Sequence, residues 1–202
     1  MIISDIKDFK TNKILIKLDD SIAFVLYKGD LSKYGFKIGC EVYEDTINDI
    51  FENVLYKRAL DRSLKLITGR DMTEGQIMSK LKDDYYPIEV IQRVIEKLKS
   101  ERLLDDERFI RCFIESKSNK KSKRDILASL YQKGIDIKIA ESVYDKMKED
   151  DLLYDEEKLI RDLLVKRHFD FENASYEERA KQSAYLYSKG FSSDSIHSVI
   201  KV

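Results

Sequence analysis

The feature that most constrains the fold of this chain is an internal repeat of about 50 residues that occurs three times. Each copy is anchored by a leucine that is followed by an apolar residue ten positions later and by a valine thirteen positions later. These anchors are Leu81, Leu130 and Leu186. Upstream of them, an apolar-x-Arg-x-apolar pattern recurs at spacings of 49 and 50 residues, centred on Arg62, Arg111 and Arg161. Self-similarity at a fixed period indicates tandem structural repeats.

Apolar residues at helical spacing and the positions of helix-capping residues predict three helices in each copy. With one proline and seven glycines the chain has few helix breakers, since average usage would give about ten and about fourteen. Thr73 and Gln76 match a capping box. Gly134 and Gly190 each follow a lysine and are suited to left-handed helix ends. We predict helices near 46–68, 73–83, 87–101, 106–117, 122–133, 136–149, 155–168, 175–189 and 193–201.

The first 45 residues have strand patterning instead. Ile14, Ile16 and Leu18 alternate with polar residues, and a turn at 19–21 leads into a second β-branched and aromatic run at 22–27. Residues 2–6 are a candidate third strand. A two-stranded hairpin alone is marginal in water, so we expect three strands or packing on the helices.

These patterns predict a mainly α protein: tandem three-helix repeats in an elongated curved body, preceded by a small N-terminal β-hairpin or sheet module. The predicted domains are 1–50 for the β module and 51–104, 105–153 and 154–202 for the three repeats. The hydrophobic core of a 50-residue unit is barely large enough to keep that unit folded alone, so neighbouring repeats are expected to pack on each other.

Composition excludes several classes. The longest apolar run, residues 22–27, is far shorter than the roughly 20 residues of a membrane-spanning helix. The N-terminus lacks the basic and apolar regions of a secretion signal, and the two cysteines form no disulfide or metal-knuckle pattern. We therefore expect a cytoplasmic protein without membrane contact.

No enzyme motif is present. Cys40, Cys112, His168 and His197 are not spaced as metal ligands or as a nucleophile with its base. Structural or surface roles suit the two histidines better, and Cys112 is predicted to be a buried thiol. Runs of carboxylates fall mainly at predicted helix starts and loops, where caps and solvated charge are ordinary. We expect no enzymatic activity, metal or cofactor, and a hydrolase using clustered carboxylates is a minor alternative.

Basic clusters are the more suggestive feature. Residues 117–124 contain five positive charges, Lys166 and Arg167 follow at the corresponding place in the third copy, and Arg70 in the first. The chain has 37 basic and 38 acidic residues, so any binding of nucleic acid must come from local patches. Recurrence at one structural position favours contact with phosphates or an acidic protein surface over simple solvation. The recurring arginines of the upstream pattern fit either salt bridges between repeats or binding.

The residues resemble the RecX family of regulatory proteins over about 56–202. The resemblance rests on four segments, and the first 55 residues look like an extension that only some relatives have. The segments are 59–81, 104–109, 126–135 and 185–196.

The resemblance implies a non-enzymatic modulator, usually an inhibitor, of the RecA recombinase. Family members bind in the groove of the RecA filament on DNA and suppress its ATPase, strand exchange and co-protease activity. It further implies a monomer that meets DNA mainly through the filament, with weak direct binding. A module that binds nucleic acid alone through its basic patches is the alternative. The candidate contacts are Arg70, Lys117, Lys120, Lys121, Lys123, Arg124, Lys133, Lys166, Arg167 and Lys189. The first copy departs from the pattern, because Asp83 and Asp84 replace its basic turn.

Overall fold

The computed structural model describes residues 1–200, apart from the side chain of Ile22. The chain divides into two compact units, Met1–Asp105 and Asp106–Val202, and each is described by itself. The predicted end of the last helix at 201 and of the last domain at 202 lies outside the described residues.

The first unit begins with a three-stranded antiparallel sheet in the order β1 (Ile3–Lys10), β2 (Lys13–Leu18) and β3 (Ile22–Tyr27). The alternation that predicted β2 is confirmed, because Ile14, Ile16 and Leu18 are buried. Asp19 and Asp20 both have positive φ, 46° and 57°, in the turn at 19–21, which is closed by a 3.0 Å hydrogen bond from the N–H of Ser21 to the carbonyl of Leu18. The candidate strand at 2–6 is β1, which runs from Ile3 to Lys10 and is therefore longer than predicted.

Five α-helices and one π-helical segment follow the sheet in the first unit. Helix α1 (Lys28–Tyr34) follows β3 directly. A continuous helix then comprises α2 (Glu44–Asp49), a π-helical segment (Ile50–Leu55) and α3 (Tyr56–Gly69). Helices α4 (Glu74–Asp83) and α5 (Ile88–Ser100) complete the described helices of this unit.

The first unit thus contains five α-helices, α1 to α5, and one π-helical segment. The predicted helix near 46–68 is confirmed in extent, but the sequence pattern missed its π-helical turn. Ile50 and Leu55 are both fully buried although they are five residues apart. An α-helix would rotate them about 140° from each other, whereas the i→i+5 turn of a π-helix brings them toward the same side. One core joins the sheet to the helices, with Phe24 and Leu26 of β3 in the same apolar cluster as Ile77 and Leu98.

The second unit contains two three-helix groups. The first is α6 (Asp106–Ser118), α7 (Lys123–Tyr131) and α8 (Ile137–Glu149), and the second is α9 (Glu156–Lys166), α10 (Tyr176–Ser188) and α11 (Ser193–Val199). Each group has its own core, centred on Ile110, Ile126 and Leu130 in the first and on Ile160, Leu164 and Leu186 in the second. We call α3–α5, α6–α8 and α9–α11 repeats 1, 2 and 3.

The predicted helices are confirmed to within about two residues at most ends, because the capping residues lie where the sequence placed them. Thr73 and Ser175 form capping boxes, and the side chains of Asp136 and Asp155 cap α8 and α9. The side chain of Ser192 caps α11. The boundaries of the four predicted domains stay a prediction.

Candidate partner-binding surface

The second helix of every repeat ends in the same way, and this end fixes the position of the candidate lysines. In each repeat a backbone N–H bonds back to the carbonyl of the anchoring leucine, from Tyr86 to Leu81, from Ile135 to Leu130 and from Phe191 to Leu186. The residue before that donor has a positive φ, 59° at Tyr85, 81° at Gly134 and 87° at Gly190. This is the Schellman ending of a helix. One residue earlier stand Asp84, Lys133 and Lys189, which are therefore structurally equivalent.

In repeat 2 the structure brings two candidate cations onto one aromatic ring. The Nζ atom of Lys117, near the end of α6, lies 6.0 Å from the ring centroid of Phe113, and Nζ of Lys133 lies 5.6 Å from the same centroid. Lys133 is also 5.9 Å from the ring of Phe109, which stacks on Phe113 at 6.1 Å. Aromatic faces attract cations at these distances.

Repeat 3 has the equivalent pair of cations on a different ring. The guanidinium carbon of Arg167, at the end of α9, lies 3.9 Å from the ring centroid of Tyr185, and Nζ of Lys189 lies 5.8 Å from it. Arg167 also donates through Nε to the amide oxygen of Gln182 at 2.8 Å. Arg167 occupies the position of Lys117, and Lys189 that of Lys133. We call Lys117 with Lys133, and Arg167 with Lys189, the ring-bound cation pairs.

A ring-bound cation pair is suited to bind an anionic group. The negative face of the ring quadrupole attracts the two cations and orders them side by side. Ammonium and guanidinium N–H groups in this setting can donate to phosphate or carboxylate oxygens. These four cations were predicted from the sequence, but the rings were not. The spacing carried a signal for them, because Phe113 precedes Lys117, and Tyr185 precedes Lys189, by four residues, which is one helical turn.

Two other candidates have partners within the chain. Lys123 forms a 2.6 Å salt bridge to Asp145 of α8 and lies 5.2 Å from the ring of Tyr144. Arg124 donates through Nη2 to the backbone carbonyls of Ser188 at 3.0 Å and Tyr187 at 3.3 Å, so it connects repeat 2 to the end of α10. Both side chains stabilise the second unit.

The remaining candidates lie on the surface. Lys120 and Lys121 are exposed in the loop between α6 and α7, where Nζ of Lys121 donates to the hydroxyl of Ser129 at 3.3 Å. Lys166 is the exposed last residue of α9. Arg70 is exposed directly after α3, in the first unit.

Repeat 1 has no ring-bound cation at the position of Asp84. This carboxylate accepts hydrogen bonds from Nζ of Lys10 in β1 at 2.7 Å and from Nε of Arg62 in α3 at 3.2 Å. Burial alone would raise the pKa of Asp84, but the hydrogen bond and charge of Lys10, and then those of Arg62, outweigh burial and hold this pKa below its ordinary value. The recurring arginines therefore do not share one role: Arg62 pairs with Asp84 inside repeat 1, and Arg111 pairs with Glu107 inside α6.

Within residues 1–200, no group of three or more His, Cys, Asp or Glu side chains is arranged to hold a metal ion. His168 has a φ of 57° and follows the end of α9. The prediction that Cys112 is buried is wrong: it is exposed, because α6 buries the face that carries Ile110 and Ile114. None of the helices in residues 1–200 is long and apolar enough to cross a membrane.

The comparisons with known proteins agree with this architecture. Residues 59–98, 105–143 and 155–200 match the models of the first, second and third three-helix domains of RecX, in that order. The regulatory protein RecX of Finegoldia magna is 34% identical over 194 residues, which cover 92% of this chain and 91% of the relative. That of Clostridium acetobutylicum is 29% identical over 198 residues, which cover 95% and 90%.

Two solved structures have the same fold. A crystal structure of a regulatory protein RecX superimposes with a TM-score of 0.63 at 25% identity and covers 100% of this chain and 99% of its own. The crystal structure of RecX from Lactobacillus salivarius gives a TM-score of 0.61 at 21% identity and covers 73% of this chain and 95% of its own. Because its three helical domains match in order and a relative above 30% identity spans nearly its whole length, this chain belongs to the RecX family of regulatory proteins.

Proposed function

We propose that this chain is a non-enzymatic modulator of the RecA recombinase that binds in the groove of the RecA filament on DNA. In this proposal, binding suppresses the ATPase, strand exchange and co-protease activity of the filament. The single observation that carries the proposal is the recurrence of a ring-bound cation pair at equivalent positions of repeats 2 and 3, in a chain of a regulatory family.

Two recurring pairs suit a filament because a filament is itself a repeating partner. An exposed ion pair contributes only about 0.2–1 kcal/mol, so one pair of cations would bind weakly. When one folded unit presents two such pairs, the second contact forms at a high effective concentration and the affinities combine. The near-zero net charge of the chain fits this mode, because it limits indiscriminate attraction to bare DNA.

The test is the DNA-dependent ATPase of RecA, measured with increasing amounts of this protein. We expect the rate to fall to a plateau, and filaments seen by electron microscopy to shorten. An ATPase rate and a filament length that both stay unchanged at saturating protein would contradict the proposal.

The second candidate function is direct binding of nucleic acid without RecA. The exposed Lys120 and Lys121, next to Lys117 in sequence, favour it. Salt-dependent mobility shift of single- and double-stranded DNA separates the two functions. Tight binding at physiological salt without RecA supports the second candidate, and binding that disappears there supports RecA as the partner.

A further inference from the structure

Repeat 2 contacts repeat 3 at the Schellman ending of α10. The hydroxyl of Ser122, at the start of α7, donates to the carbonyl of Lys189 at 2.8 Å, and Arg124 donates to the two preceding carbonyls. Gly190 lies directly beneath them: a Cβ atom there would come within 2.6 Å of Oγ of Ser122 and 2.8 Å of Nε of Arg124. The last carbonyls of a helix have no partner within the helix, so this contact satisfies the carbonyls of Ser188 and Lys189. The carbonyl of Tyr187 also accepts the backbone N–H of Gly190 at 2.9 Å.

The equivalent ending of α4 in repeat 1 is also covered, but by the β module. Nζ of Lys10, the last residue of β1, bonds to the carboxylate of Asp84 at 2.7 Å. The ring of Phe9 packs edge-on against Tyr85 at 5.1 Å and 84°. Asp84 and Tyr85 are the equivalents of Lys189 and Gly190, and the side chain of Asp84 is only 10% exposed.

The two contacts follow one physical rule with different side chains. In each, the incoming segment brings a cation, Arg124 or Lys10, to the C-terminal end of the second helix, where the helix dipole is negative. Arg124 bonds to bare carbonyls and therefore requires the small Gly190 beneath it. Lys10 bonds instead to a side-chain carboxylate, which explains why repeat 1 has Asp84 where repeats 2 and 3 have lysine.

We infer that the N-terminal β module takes, on repeat 1, the place that repeat 2 takes on repeat 3, and so acts as the N-terminal cap of the series of repeats through Phe9 and Lys10. Repeat proteins need terminal units that cover the contact surface which an interior repeat would present to its neighbour. The module covers that surface on the first repeat. The turn between α4 and α5 therefore contacts the β module, whereas the equivalent turns of repeats 2 and 3 carry a lysine.

Hydrogen exchange of the full chain at single-amide resolution tests this inference. The reporters are the backbone N–H groups of Tyr86 and Phe191, which close the equivalent turns. Combined Phe9→Ala and Lys10→Met should speed exchange at Tyr86 about tenfold and leave Phe191 unchanged. Combined Ser122→Ala and Arg124→Ala should speed exchange at Phe191 and leave exchange at Tyr86 unchanged. The matched control is Lys7→Met, since Lys7 lies on the same strand but pairs with Asp5 within it.

The result that would overturn the inference is unchanged exchange at Tyr86 in the first variant while Phe191 responds to the second. A milder pair, Lys10→Met and Asp84→Asn, keeps the test valid if the first variant unfolds the module. Both substitutions remove the same contact, the hydrogen bond from Lys10 to Asp84. We therefore expect the double variant to speed exchange at Tyr86 by a factor at least threefold smaller than the product of the two single factors. If the double variant speeds exchange by the full product of the two single factors, the contact between Lys10 and Asp84 does not hold the β module on repeat 1. Neither measurement involves RecA, so its failure is separate from failure of the proposed function.

Discussion

Replacement of Gly190 by alanine should destabilise the second unit far more than an ordinary glycine substitution. Gly190 has a φ of 87°, and a side chain in the left-handed region costs roughly 1–2 kcal/mol. Alanine also restricts the unfolded chain, which returns about 0.4–1 kcal/mol. The backbone contribution alone is therefore about 1 kcal/mol.

The contacts above Gly190 add a larger contribution. A Cβ atom would lie 2.6 Å from Oγ of Ser122, 2.8 Å from Nε of Arg124 and 3.1 Å from Cβ of Arg124, so both side chains must move. Losing the hydrogen bond from Ser122 costs about 0.5–1.5 kcal/mol, and losing that from the charged Arg124 about 1.5–3 kcal/mol. With the backbone contribution, we expect Gly190→Ala to cost about 3–5.5 kcal/mol.

Native-state hydrogen exchange of α10 and α11 measures this cost, because about 1.4 kcal/mol corresponds to a tenfold change in exchange rate. We expect exchange to be more than about 100-fold faster than in the wild type. The matched control is Gly35→Ala, since Gly35 has a φ of 68° and no atom within 4 Å of the added Cβ, and it should speed exchange in its own unit about fivefold. Equal effects in the two variants would refute the reasoning. Adding Ser122→Ala to Gly190→Ala should cost less than the sum of the single changes.

Three further predictions concern pH and surface charge. The pKa of Asp84 is lower in the folded than in the unfolded state, so its stabilisation is complete above the unfolded value near 4 and is lost as the pH falls through the folded value. Urea denaturation of Asp84→Asn should therefore show a weaker acid dependence than the wild type, and an identical dependence would contradict this. Burial, and then the charge of Asp84, raises the pKa of Tyr86 to about 12, so its stabilisation is complete below pH 10 and is lost toward pH 12. Tyr86→Phe should remove part of this alkaline loss, and a variant as sensitive as the wild type would exclude Tyr86 as its source. Lys123→Met should cost less than 1 kcal/mol in urea denaturation, because the salt bridge to Asp145 is half exposed, and a larger loss would show that Lys123 does more than pair with it.

The helices could be predicted from the sequence because their ends are set by local chemistry. Thr73 and Ser175 cap helices through hydrogen bonds that span three residues, and Gly134 and Gly190 adopt the left-handed conformation that a glycine permits. The repeat also made the equivalence of the lysines visible. The π-helical segment was not predictable, because it depends on which side chains the core buries.

The partners of the basic residues could be predicted only in part. Four of the candidates form the ring-bound cation pairs, and the helical spacing between ring and cation was present in the sequence. Arg124 bonds to carbonyls 63 and 64 residues away, and Lys10 to a carboxylate 74 residues away. Contacts at such separations depend on how the elements pack, and this cannot be read from the residues next to Arg124 or Lys10 in sequence. The charge of Asp84 was recognised as a departure from the repeat, but its reason became visible only in the structure.

The most direct test of the central claim compares inhibition of the RecA ATPase by two variants with equal net charge. In one, Lys117→Met and Lys189→Met remove one cation from each ring-bound cation pair. In the other, Lys138→Met and Lys181→Met remove two exposed lysines from the same two repeats. We predict that half-inhibition needs about ten times more of the first variant than of the wild type, which corresponds to about 1.4 kcal/mol, and that the second inhibits like the wild type. Equal inhibition by the two variants would contradict the claim that the ring-bound cation pairs contact the filament.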